Sequence, residues 1–361
     1  MHIKLLLLLF TLLNVVVSNA QKPEIDSINV NYEQAFNRAL DEYEKFEVEH
    51  GHFIETPNVK LHYSTWGDSN NTPFIWIHGT YQNSTEIIDV VDSIVASGFY
   101  VTAIDVYGHG LTEIPNHEVS IYHVADDINC LMNKLNLEKA VIGGTSRGGS
   151  IATAFYDAYP NKVLGIINSD GGSVNWLRPR QKMADAELRS AYEKLYRKTE
   201  TRLFDSKFET FKYYYNPEDS TSQYWWFALI EENESNKWGL NLALKALVTE
   251  TTIESGVNKI LRPTTCSLLD ASTSMMLPEV VYRNLSVPVL ILDPQKDDKD
   301  GLFDFTEYNK KLAAQHPELI THILYENSGH GVIFEQPERF THDVLGFLDQ
   351  IKKDITMYKR H

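Results

Sequence analysis

Apolar positions along the chain gather into short continuous runs, separated by longer stretches in which they recur three and four residues apart. Phe74 to Ile77 is one run, ending at His78-Gly79. Tyr100 to Val106 is a second, ending in Gly108-His109-Gly110, and Ala140-Val141-Ile142 a third, followed at once by Gly144-Thr145-Ser146-Arg147-Gly148. Thr85 to Ser97 and Tyr122 to Leu135 have helical spacing. Val163 to Asn168 is a further run. From Val287 to Leu292 the alternation resumes, through a helix at Phe305 to Gln315, a strand at Thr321 to Tyr325 and a helix at Pro337 to Ile351. Strands that are apolar on both faces are covered on both faces, so the pattern predicts an α/β fold with a mainly parallel, helix-flanked sheet. Val59 to Trp66 alternates in polarity and fits an antiparallel member.

Two stretches depart from this rhythm. Tyr32 to Glu49 is charged, with Ala35, Phe36, Ala39, Leu40, Tyr43 and Phe46 on one stripe, which predicts an added helix packed on the main body. From Gly172 to Asn284 no strand run is clear: Glu187 to Lys207 is charged and helical, and Tyr213-Tyr214-Tyr215 and Tyr224-Trp225-Trp226-Phe227 are dense aromatic clusters. This is read as an inserted helical cap. Its aromatic clusters are candidates either for helix–helix core or for the walls of a pocket.

The first twenty residues have the form of a secretory signal, with Lys4, an apolar Leu5 to Val17 and a small-residue cleavage site at Ser18-Asn19-Ala20. Thirteen apolar-dominated positions are too few to span a bilayer, so no stable membrane insertion is expected. The expected organisation is a signal peptide over 1–20, a helical extension over 21–55, a core over 56–171 and 285–361, and the cap over 172–284. The mature chain would begin near Gln21, secreted or periplasmic.

With 49 acidic against 33 basic residues the formal charge is −16. Nucleic-acid binding needs a basic face, so that class is excluded as a partner, and an anionic membrane surface is disfavoured. Two cysteines could pair in an oxidising compartment. Cys130 falls on a core-facing helix and Cys266 in a separate segment, which predicts two buried free thiols. The triplets at Asn70, Asn83, Asn233 and Asn284 have the N-x-S/T form of glycan acceptors. No metal site is expected, since no short-range ligand cluster occurs; Asp298-x-Asp300-Gly301 lacks the other ligands of a calcium loop.

The chemistry centres on Ser146. A G-x-S-x-G sequence between a strand and a small-residue helical run is a tight turn in which bulk two residues before or after the serine would strike neighbouring backbone. The turn lifts the hydroxyl to the top of the sheet, at the positive end of a helix. A serine hydroxyl needs a base, and the base an orienting group. Among thirteen histidines, His330 in Asn327-Ser328-Gly329-His330-Gly331 stands out, because it follows the last strand and precedes the helix opened by Pro337-Glu338.

His78-Gly79, Asp105-Val106-Tyr107-Gly108-His109-Gly110, the serine turn, an acid after a late strand and Gly329-His330 together resemble the α/β-hydrolase fold family, over nearly all the chain except the N-terminal helix and the cap interior. With serine at the turn, the likeness is to its esterase, lipase and peptidase branches. The resemblance implies Ser146 as nucleophile, His330 as base and Asp297 as acid, about five residues past the strand Val289 to Leu292. Asp298 lies one step away, and Asp170, which ends the preceding strand, is the other position open to the acid. It also implies backbone donors for an oxyanion from Thr80 and Arg147. The Arg147 side chain reads as a buried ion pair beneath the turn, and His109 as a structural turn residue. The expected function is cofactor-independent hydrolysis of a small-molecule carboxylic ester. An aminopeptidase or amidase, carbon–carbon hydrolysis, and a catalytically silent binding protein on the same scaffold are the alternatives.

Overall fold

The computed structural model describes residues 30–175, 177–198, 202–243, 253–295 and 305–358. Eight strands make its central sheet: β1 (Gly51–Glu55), β2 (Lys60–Trp66), β3 (Thr72–Ile77), β4 (Phe99–Ile104), β5 (Ala140–Thr145), β6 (Val163–Ser169), β9 (Val289–Pro294) and β10 (Ile320–Tyr325). A separate hairpin holds β7 (Ile230–Glu232) and β8 (Trp238–Leu240). The spatial order is β1-β2-β4-β3-β5-β6-β9-β10; β2 pairs antiparallel with β1 and β4, and the other neighbours are parallel.

The continuous apolar runs follow from this arrangement, because successive side chains of a central strand enter opposite layers. Ile75, Ile77 and Ile142 face the helices Ile121–Lys134 and Arg147–Ala158, with Ile128, Leu131 and Phe155 among their partners. Phe74, Trp76 and Val141 face the helices Ile88–Ala96 and Pro337–Tyr358, meeting Val90, Ile94, Phe340 and Leu348. Each fully buried side chain of this size contributes roughly 1.5–3 kcal/mol of burial free energy. The two layers therefore fix both the order and the register of the strands. That register brings Ile77 opposite Gly144, Thr145 opposite Ser169 and Ser169 opposite Leu292, so the C-terminal ends of β3, β5, β6 and β9 lie level.

The N-terminal helix spans Tyr32–His50, its first turn capped by Asn31 Oδ1 accepting from the Gln34 amide at 3.1 Å. Its apolar stripe does not rest on the sheet alone. Ala39 and Tyr43 pack with Phe211, Trp226 and Phe227 of the cap, and Phe36 lies 5.1 Å from Phe227 between ring centres. Further along, Phe46 meets Trp66 of β2 and Tyr224. Much of the aromatic density of the cap is thus the core between cap and N-terminal helix.

The cap is mostly helical, with one departure from that pattern. Its charged helix is Asp185–Lys198, and the β7–β8 hairpin follows where no strand was expected. Three-residue strands are too short to leave a visible apolar run, which is why the pattern does not announce them. Both cysteines are free and half-buried rather than buried. Asn83 is enclosed, and its Nδ2 donates to the Ala228 carbonyl at 3.1 Å, which withdraws it from the glycan acceptors. No described helix is long and apolar enough to cross a membrane. Residues 1–29 lie outside the described residues.

A buried charge chain ties the N-terminal helix to the sheet. His62 Nε2 lies 3.0 Å from Glu47 Oε2 and Nδ1 lies 2.7 Å from Asp105 Oδ2, while Asp105 also accepts from the Ser84 and Leu111 amides. Burial alone would lower the proton affinity of His62; the carboxylates of Asp105 and Glu47 outweigh it and raise the pKa to about 10. A raised folded-state pKa contributes stability that is complete below the unfolded value near 6.5 and is lost as pH rises toward 10. Removing the cation strands a buried carboxylate, so His62→Ala is expected to cost about 3–5 kcal/mol in urea unfolding and to abolish that alkaline loss. A cost near zero would mean the chain is not a structural tie.

Candidate active site

The serine turn begins with a backbone conformation that side chains rarely adopt. Ser146 has φ +54° and ψ −115°, sitting between β5 and the helix Arg147–Ala158. The turn is held from both sides: the Ser146 amide donates to the Ser169 carbonyl at 2.9 Å, and its own carbonyl accepts from the Ser150 amide at 3.2 Å. Glycine is required next to it. A Cβ on Gly144 would sit 2.5 Å from the Ile77 carbonyl oxygen, and one on Gly148 would collide with that same oxygen. The strained serine and the two missing side chains are one device, which lets β5 and the helix close against the end of β3.

The half-buried hydroxyl points to His330, with Ser146 Oγ 2.9 Å from Nε2. On the other side of the ring, Nδ1 meets Asp170 Oδ2. Nδ1 carries a single N–H, so this contact fixes the tautomer that leaves Nε2 as the acceptor for the serine proton. Asp170 occupies the position next after β6. Its amide donates to the Leu292 carbonyl at 3.0 Å, extending the ladder toward β9, and its φ of +50° turns the chain beside Ser146. Asp297, the acid expected from spacing, and its neighbour Asp298 lie outside the described residues. The carboxylate that the structure brings to the histidine is that of Asp170, the second position considered.

Burial lowers the affinity of His330 for protons, but the charge and hydrogen bond of Asp170 outweigh it and hold the imidazole above its ordinary pKa. Arg180, only 2% exposed, pulls the other way, and Glu86 adds to the rise. His78 does different work. Its Nδ1 lies 2.7 Å from the Gly79 carbonyl and its Nε2 accepts from the Val106 amide at 2.9 Å, so it joins the loops after β3 and β4. Burial pushes His78 down, and His109, bonded to the Tyr107 carbonyl, down to about 3. Both are neutral structural groups.

Thr80 follows the tip of β3, two residues past His78, and Arg147 opens the helix beyond the serine. A Cβ on Gly79 would lie 3.5 Å from the Thr145 side chain and carbonyl oxygen, so the loop after β3 passes close to the end of β5. The Arg147 guanidinium is nearly enclosed, with Nη2 3.1 Å from Asp270 Oδ1, and the same oxygen lies 3.0 Å from Lys259 Nζ. Asp270 belongs to the cap helix Leu268–Met275 and Lys259 to Ile253–Leu261, so the residue after the serine anchors the cap. Sequence reading placed a buried ion pair at Arg147 but not its partners. It also passed over Glu86, whose position three residues after Asn83 resembles an ordinary helix-start acid; the fold turns that carboxyl inward instead.

This fold and site define the class. A family model for the α/β-hydrolase fold matches residues 72–337, and the chain belongs to that family. It is 27% identical over 299 residues to the AB hydrolase superfamily protein YisY of Bacillus subtilis, covering 82% of this chain and 98% of that one. Among solved structures, E-2-(acetamidomethylene)succinate hydrolase matches with a TM-score of 0.60 at 16% identity, covering 83% of this chain and 98% of that one. Carboxylesterase CesB from Bacillus subtilis matches with a TM-score of 0.52 at 18% identity, covering 88% and 99%. These structural likenesses are likenesses of fold.

Proposed function

We propose that the protein is a secreted serine hydrolase that cleaves a small-molecule carboxylic ester through an acyl-enzyme. The observation that carries this reading is the continuous chain Asp170–His330–Ser146, with the serine on a strained turn. Ser146 attacks the carbonyl carbon while His330 Nε2 takes its proton, and Asp170 holds the ring and offsets the charge it gains. The Arg147 and Thr80 amides receive the oxyanion. His330 returns the proton to the leaving alcohol, then activates water to release the acid and restore Ser146.

The choice of an ester over a peptide rests on the neighbours in fold rather than on a residue of the site. A carboxylesterase among the neighbours in fold is consistent with this choice. Secretion rests on residues 1–20, whose composition is that of a cleavable signal.

Ser146→Ala is expected to fold and to lose about 10³-fold or more in ester turnover, because only oxyanion and binding effects remain. Asp170→Asn is expected to lower kcat by about 10⁴-fold with KM little changed, and Asp297→Asn to be mild. Steady-state kinetics of the three variants decide the assignment: a severe Asp297→Asn beside a mild Asp170→Asn would return the acid to Asp297. Mass spectrometry of native material is expected to find a mature N-terminus at or near Gln21. Recovery of the Met1 form from membranes would contradict secretion.

A further inference from the structure

Resting on the hydrolase reading above, we infer that Glu86 is a positioning residue of the oxyanion site, whose ionised carboxylate fixes the backbone of Gly79 and thereby aims the Thr80 amide. Glu86 lies in the 3₁₀ turn Ser84–Ile87 and is 3% exposed. Its Oε2 accepts from the Gly79 amide at 2.8 Å and its Oε1 from Trp76 Nε1 at 3.0 Å. Trp76 is a wholly buried residue of β3, so the carboxylate bridges the strand to the Gly79 peptide in the loop beyond it. The far side of the loop is held separately. Tyr81 has φ +72°, and its carbonyl accepts from Asn241 Nδ2 of the cap at 3.0 Å. Thr80 lies between these two fixed points.

Two donors arrive at two different oxygens, and the carboxylate accepts at both with its charge shared between them. A glutamine would set an N–H against one of them, and the protonated acid would meet one donor with only a weakly accepting hydroxyl oxygen. The ionised form is therefore the one that holds the loop. Burial raises Glu86, against the Gly79 amide, the Thr145 and Trp76 side chains and the charge of His330, to about 7. The charged group acting on it is His330, which is itself faced by Asp170 and Arg180. Glu86 thus gains its charge as pH rises through the range in which His330 becomes free to act as base. Both groups lose their protons for full activity, and each, once deprotonated, leaves the other with a higher affinity for its proton.

The test is the pH dependence of p-nitrophenyl butyrate hydrolysis by wild type and Glu86→Gln, with affinity for a trifluoromethyl ketone measured alongside. In wild type, log kcat/KM is expected to approach a slope of 2 on the acid side. In Glu86→Gln the slope falls to 1 and the acid limb moves to lower pH, since His330 loses a neighbouring negative charge. The variant should lose about 10- to 100-fold in kcat with KM little changed, less than the 10²–10³ typical of deleting an oxyanion donor outright. Its affinity for the ketone should fall by the same factor as kcat/KM. A wild-type slope of 1, or a Glu86→Gln with unchanged kcat and ketone affinity, would overturn the inference. The wild-type slope decides it even if the variant does not fold. Failure of wild type to hydrolyse the ester or bind the ketone would instead overturn the hydrolase reading itself.

Discussion

The close approach between the end of β3 and the helix that follows β5 is the constraint on which the site depends. Gly148 brings the helix onto the Ile77 carbonyl, Gly144 does the same from the strand, and Ser146 takes up the remaining strain at φ +54°. Because the Ser146 amide is bonded to Ser169, the turn is also fixed to the end of β6, and Asp170 is the next residue. The separation of nucleophile, orienting acid and Thr80 is thus set by backbone contact, before any side chain is placed. His330, from the loop after β10, closes the arrangement from the remaining side.

Buried ionisable groups do the rest of the positioning, and each meets partners of opposite charge or amide donors. Asp105 joins His62 to the loop that starts at Ser84; Asp270 joins Arg147 to Lys259 across the cap boundary; Glu86 joins Gly79 to Trp76. Buried charges are weak contributors to net stability but costly to leave unpaired, so each fixes which elements meet. Three separate ties converge on one face: the N-terminal helix through Glu47, the cap through Asp270, and the loop after β3 through Glu86. The cap is thereby held to the same residues that frame the serine.

Much of this was legible in the chain. Ser146 is marked by glycines whose absence of bulk has only one economical explanation after a buried strand, and His330 by its place between the last strand and the last helix. The central strands were visible because burial on both faces leaves an unbroken apolar run, whereas the half-exposed edge strand β1 stands in the last five residues of the stretch expected to be a helical extension. What was not visible depends on register. Asp170 and Asp297 both follow strand ends, and no spacing along the chain says which carboxylate turns toward the histidine; the contact of Asp170 Oδ2 with His330 Nδ1 places Asp170 there. Glu86 and Asp270 were hidden because a carboxylate near a helix start has the same local pattern whether it faces water or a buried donor. The β7–β8 hairpin was too short for its period to register.

The central claim is that Ser146 is a nucleophile activated by this chain of contacts. Incubation of the folded wild-type protein with a fluorophosphonate, followed by peptide mapping, tests it most directly. The account predicts one adduct per chain, on Ser146, forming faster as pH rises through the titration of His330. An unlabelled protein, or an adduct on a different residue with Ser146 unmodified, would contradict it.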